Sequence, residues 1–187
     1  MDLAAVLDAI DGANAADPTP EEGRPAALLY GERMSAELAR QVRDASDLLR
    51  IAARGQHVER WLLPRAAYPE GKEGYLNWRR EQGRRHAERV AGMMADAGYD
   101  AAAQARIGVL LRKEGIKRDA EVQALEDVIC FVFLRHYFAP FAAKHGADDL
   151  RGIVAKTARK MSASARIRAL VEFTLPPDLA DAMRAAG

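Results

Sequence analysis

The sequence predicts an all-α fold, a compact single-domain helical bundle, and three observations lead there. Apolar residues recur at spacings of three and four along most of the 187-residue chain. Period-two alternation, the mark of a half-buried strand, is hard to find. Glycine and proline gather in a few places and leave long stretches unbroken between them.

Leu3, Val6, Leu7 and Ile10 give a short first helix ending near Asp11-Gly12. From Asp17 to Pro25 three prolines remove backbone donors and restrict the residues before them, so this stretch is expected as a loop. Residues 1–25 thus make an N-terminal helix and Pro-rich loop. A second helix, from Ala27 to about Val42, carries Leu28, Leu29, Met34 and Leu38. A third opens at the N-cap Ser46, with Leu48, Leu49, Ile51 and Ala52, and is expected to run without a break into Gln56, His57, Glu59 and Arg60. The breaker-rich stretch Pro64 to Gly74 holds Arg65 and Tyr68, and either caps a pocket or is an ordinary surface connection. A long helix follows from about Tyr75 to Ala97, through Trp78, His86, Val90 and Met94, with Gly98 as its stop. Asp100 caps the next, which ends near Gly115. Asp119 opens the most hydrophobic helix, with a stripe of Val122, Leu125, Ile129 and Val132, and Pro140 should bend or end it. Shorter helices over about 148–160, 162–170 and from Pro177 to the end form a C-terminal extension, 147–187.

Lys and Arg total 28 against 27 for Asp and Glu, so no global field draws the chain to nucleic acid or anionic lipid. Nucleic acid is not favoured as a partner, and any anion must be bound locally. A lone cysteine, Cys130, excludes an internal disulfide, and its apolar surroundings suit a free thiol in a cytoplasmic protein. No basic leader and no apolar run of about 20 residues is present, so no membrane span is expected. A homo-oligomer stays open.

Three polar groups interrupt helices that otherwise look buried: His57, His86 and the Glu126-Asp127 pair. Asp127 shares a helix face with Gln123, Cys130 and Leu134, and a buried carboxylate needs a cation, a metal or several donors. Two imidazoles and that carboxylate would form a sufficient shell for a divalent transition metal such as Mn, Fe, Ni, Co or Zn. The plainer alternative is a hydrogen-bonded histidine and an Asp paired with arginine, and no short metal motif links the three. A basic constellation from Arg79 to Arg89, joined by Lys113, suits a phosphate or carboxylate, with a solvated face balanced by Glu81 and Glu88 as its alternative.

Leu29-Tyr-Gly-Glu-Arg-Met34, Arg54-Gly-Gln-His-Val-Glu-Arg-Trp61, Gly74-Tyr-Leu-Asn-Trp-Arg79, His86-Ala-Glu88, Gln123-Ala-Leu-Glu-Asp127 and Lys156-Thr-Ala-Arg-Lys-Met-Ser162 together resemble the bacterial family called domain of unknown function 4202, over nearly the whole chain. That family in turn looks like a divergent branch of the HD-domain metal phosphohydrolases, which implies an HD-like helical fold. The resemblance places the His-Asp doublet on Gln56-His57, the first His on Arg33, an additional His on His86 and the last Asp on Asp127. Two of the four defining positions therefore depart from the pattern. It implies metal ligands His57, His86 and Asp127, and a metal-activated water attacking a small phosphorylated or nucleotide-like substrate. Glu59 or Glu88 would serve as base, with Gln56, Arg60, Arg65, Tyr68 and Lys113 on the substrate. The alternative it leaves is a catalytically degenerate scaffold that binds a small anion or a partner protein.

Overall fold

The computed structural model describes residues 1–186 and is all-α apart from one small hairpin. The chain divides into two compact units, residues 1–114 and residues 115 onward. That boundary falls well before residue 147, where the extension was expected to begin.

In the first unit α1 (Leu3–Asn14) opens on Asp2, whose side chain accepts from the Ala5 N–H. The expected loop contains β1 (Pro20–Glu21) and β2 (Arg24–Pro25), antiparallel, joined through Glu22 and Gly23. Both turn residues have positive φ, 51° and 74°, as a tight two-residue hairpin turn requires. Helix α2 (Ala26–Gln41) follows directly, and α3 (Asp47–Arg54) starts on the Ser46 hydroxyl, which accepts from the Leu49 N–H.

Helix α3 does not continue through His57. It ends at Arg54, and residues 55–59 form turns leading to a single 3-10 turn, Arg60–Leu62. The chain turns at Gly55, the C-cap, where close packing leaves no room for a side chain: a Cβ there would lie 2.8 Å from Val90 Cγ2 and 3.2 Å from the Ile51 carbonyl. The turn is completed by Glu59 in the left-handed region, φ 50° and ψ 29°.

Helix α4 (Gly71–Asp96) begins one turn earlier than its apolar pattern predicts, and Gly98 at φ 82° closes its C-terminal end. Every fourth residue from Trp78 through Gln82, His86, Val90 and Met94 is buried, a stripe that is polar at its start and apolar at its end. Helix α5 (Ala101–Arg112), capped by Asp100, packs against α4 and completes a core around Ile10, Met34, Ile51, Met94, Ile107 and Leu110. Burying one such side chain stabilises by roughly 1.5–3 kcal/mol.

In the second unit α6 (Ala120–Val132) is capped by Asp119, which accepts from the N–H groups of Glu121 and Val122. It runs through a π-helical turn, Phe133–Tyr137, into α7 (Phe138–Ala142). Pro140 neither ends the helix nor leaves it regular. Its missing N–H and its ring preclude the ordinary bond one turn back, and the wider turn, with Phe138 N–H donating to the Phe133 carbonyl, absorbs the conflict. Helices α8 (Ala147–Lys160), α9 (Ala163–Glu172) and α10 (Pro177–Arg184) bury Val154, Ala158, Met161, Ala169 and Met183 with Cys130 and Phe131. Among the described residues no helix is long and apolar enough to cross a membrane.

Candidate functional site

The polar end of the α4 stripe organises the site. Trp78 Nε1 donates to the Leu63 carbonyl at 2.9 Å, and Gln82 Nε2 donates to the carbonyls of Arg60 and Leu63 at 2.9 and 3.0 Å. The short stretch after α3 is thereby fastened to α4, and its side chains are fixed over that helix. The Arg60 guanidinium lies 4.5 Å from the Trp78 ring centroid, a cation–π stack. From the other side α1 supplies Asn14, whose side-chain oxygen accepts from the Glu59 N–H at 3.1 Å and holds the left-handed residue before Arg60.

His57 and His86 meet here, with ring centroids 6.3 Å apart and planes inclined at 49°. Tyr30 of α2 stacks on His57 at 3.7 Å, nearly parallel at 13°. Burial, then the Arg60, His86, Lys113 and Arg79 charges, holds the His57 imidazole well below its ordinary range. Burial, then Arg60, Lys113 and Arg85, pushes His86 down to about 3, against a hydrogen bond that the ring donates to the Gln56 backbone, which pulls it up. Both rings are neutral at pH 7. His86 is 2 % exposed and its Nε2 has no hydrogen-bond partner, so the backbone bond is made through Nδ1.

Two of the guanidinium groups here have no acid beside them. Among the described residues no carboxylate forms an ion pair with Arg60 or Arg79, and Arg79 instead lies over the Tyr75 ring at 5.8 Å. Lys113 adds charge from the left-handed C-cap of α5, at φ 59°. The site therefore joins two neutral imidazoles to three cations.

The remaining expected residues have partners or surroundings of their own. Gln56 is buried beside His57, and its Oε1 has no partner. Glu59 accepts from Arg89 Nε at 3.0 Å, and exposed Glu88 is held by Arg84 at 2.5 Å. Arg65 spends its guanidinium on the carbonyls of Tyr68 and Pro69, both at 2.8 Å, which braces the 64–70 loop on itself. Asp127 belongs to the second unit, where its Oδ1 accepts from Gln123 Nε2 at 3.0 Å and from the Ser162 N–H at 2.8 Å. Arg33 is buried and paired with Glu21 and Glu22 of the hairpin. Among the described residues no three His, Cys, Asp or Glu side chains are grouped to hold a metal ion.

Sequence reasoning missed Tyr30, Asn14 and Gln82. Each sits in an ordinary amphipathic helix, and only Gln82, four residues from both Trp78 and His86, carried a spacing signal.

The family model for domain of unknown function 4202 matches residues 4–183. The chain belongs to that family. No match was found among curated proteins or solved structures. Membership in the domain of unknown function 4202 family thus covers both units.

Proposed function

We propose that the first unit is a binding module for a small phosphate-bearing or carboxylate-bearing anion, seated against His57, His86, Arg60, Arg79 and Lys113. One observation carries this: three cations converge on two neutral imidazoles with no acid paired to Arg60 or Arg79. Unmatched guanidinium groups in partly buried positions are costly, and a bound anion supplies the missing charge. Each neutral imidazole offers an N–H or a lone pair without adding a further charge.

A hydrolytic reading in the manner of the HD superfamily would need a divalent transition metal here. The surroundings do not suit one. Arg60, Lys113 and Arg79 already place positive charge around the two imidazoles, and Glu59 and Glu88 are engaged by arginines. The degenerate doublet Gln56-His57 accords with binding rather than turnover.

Calorimetric titration of the full chain with propyl phosphate at low ionic strength tests the proposal. Saturable binding, weakened at least about tenfold by Arg60→Gln and reduced by added salt, is expected. Affinity indifferent to both changes would overturn it.

A further inference from the structure

We infer that the anion bound beside His57 and His86 carries a neighbouring hydroxyl group that donates to His86 Nε2, so that the site takes a phosphorylated hydroxy compound in preference to a bare phosphate or a simple alkyl phosphate. This rests on the anion-binding reading above and names the ligand class it left open.

The proton on the His86 ring is placed by its neighbours. Nδ1 donates to the Gln56 backbone, and in a neutral imidazole the other nitrogen then holds a lone pair. That nitrogen, Nε2, is buried and has no partner. A buried acceptor left without a donor costs roughly 1–3 kcal/mol. Such an atom calls for a donor in whatever occupies the site. Gln56 Oε1, in a side chain itself 6 % exposed, is a second buried acceptor without a partner, from the turn that also positions His57.

The chemistry of that donor is narrowed by charge. A fully ionised phosphate offers lone pairs alone and would face the Nε2 lone pair with its own. An ammonium would donate, but it would enter among Arg60, Lys113 and Arg79. A hydroxyl donates without charge and accepts from a guanidinium in turn. The two halves of the site therefore ask for different things: the cations for an anion, and the buried acceptors for neutral donors. A phosphate ester of a polyol satisfies both.

Glycerol 3-phosphate and propyl phosphate share the anion and differ in the hydroxyls, and calorimetry on the full chain compares them. Glycerol 3-phosphate is expected to bind at least about tenfold more tightly, because a site built to pair with a hydroxyl rejects the analogue lacking it. In His86→Phe the two probes should fall within about twofold of each other. Should that variant fail to fold, the ring nitrogen resonances of the wild-type protein decide: His86 Nε2 should shift several-fold further with glycerol 3-phosphate than with propyl phosphate. Equal affinities for the two probes would overturn the hydroxyl assignment and leave the anion site standing. Failure of both probes to bind would overturn the anion site and this inference with it.

Discussion

Tyr30 lies flat on His57, with ring centroids 3.7 Å apart and an interplanar angle of 13°. The contact ties the N-terminal half of α2 to the turn that follows α3, and it orients the His57 ring. Replacing Tyr30 by Phe should preserve the stack and the His57 environment. Tyr30→Leu should remove the ring-current field, seen as a downfield shift of the His57 Cε1–H proton, and weaken propyl phosphate binding several-fold.

Arg60 is held by its stack on Trp78 as much as by its backbone. Lysine keeps the charge but not the planar fork, so Arg60→Lys should bind propyl phosphate with an affinity between those of wild type and Arg60→Gln. Calorimetry on the three proteins gives the order. Equal affinity of the lysine variant and wild type would mean that only net charge matters.

The two imidazoles make stability depend on pH in a definite direction. Both have lowered values in the folded chain, His86 to about 3, against about 6.5 when unfolded. Below about pH 6.5 the unfolded chain therefore binds more protons, and stability falls as the solution is acidified. Each histidine contributes a slope of up to about 1.4 kcal/mol per pH unit. Urea unfolding at pH 7 and pH 5 should show a larger loss for wild type than for His86→Gln. Parallel losses in the two proteins would contradict the buried neutral state.

Gly55 marks where α3 must stop. An alanine there would press on Val90 Cγ2 at 2.8 Å, within the fully buried core. Gly55→Ala should cost about 1–3 kcal/mol in chemical denaturation. An unchanged midpoint would show that the turn can shift without strain.

Asp127 has a structural task in the second unit. Its Oδ1 accepts from Gln123 and from the N–H of Ser162, the residue that caps α9. Asp127→Ala should strand the Ser162 N–H, leave Gln123 Nε2 with the Lys160 carbonyl alone and cost about 1–3 kcal/mol, and Asp127→Asn, which retains an accepting oxygen, should cost less. Thermal unfolding of the two variants checks the order.

The helices were legible because their ends are written locally. Ser46, Asp100, Asp119 and Ser162 each cap the helix they were expected to open. The buried carboxylate at Asp127 was also legible as one that needs donors, and Gln123 as a neighbour on its helix face, whereas the backbone N–H of Ser162 leaves no pattern in the sequence. The hairpin at 20–25 was hidden by the prolines that argue against strands, and Glu22-Gly23 alone marked its turn. The approach of Val90 to Gly55 was not legible, since it comes from a distant helix. Tyr30 and Asn14 reach the site for the same reason: their roles are created by packing and not by spacing. The two histidines were legible by residue type, and their rings meet at 6.3 Å, while the stack of Tyr30 on His57 has no counterpart in spacing.

The central claim is that an anion sits against these two histidines, and their own ring signals report on it most directly. Proton–carbon spectra of the imidazole Cε1–H groups, followed through a titration with propyl phosphate, should show His57 and His86 moving together and saturating. In Arg60→Gln the same shifts should require at least about tenfold more ligand. Stationary His57 and His86 signals while resonances elsewhere respond would place the anion at another site and contradict the account.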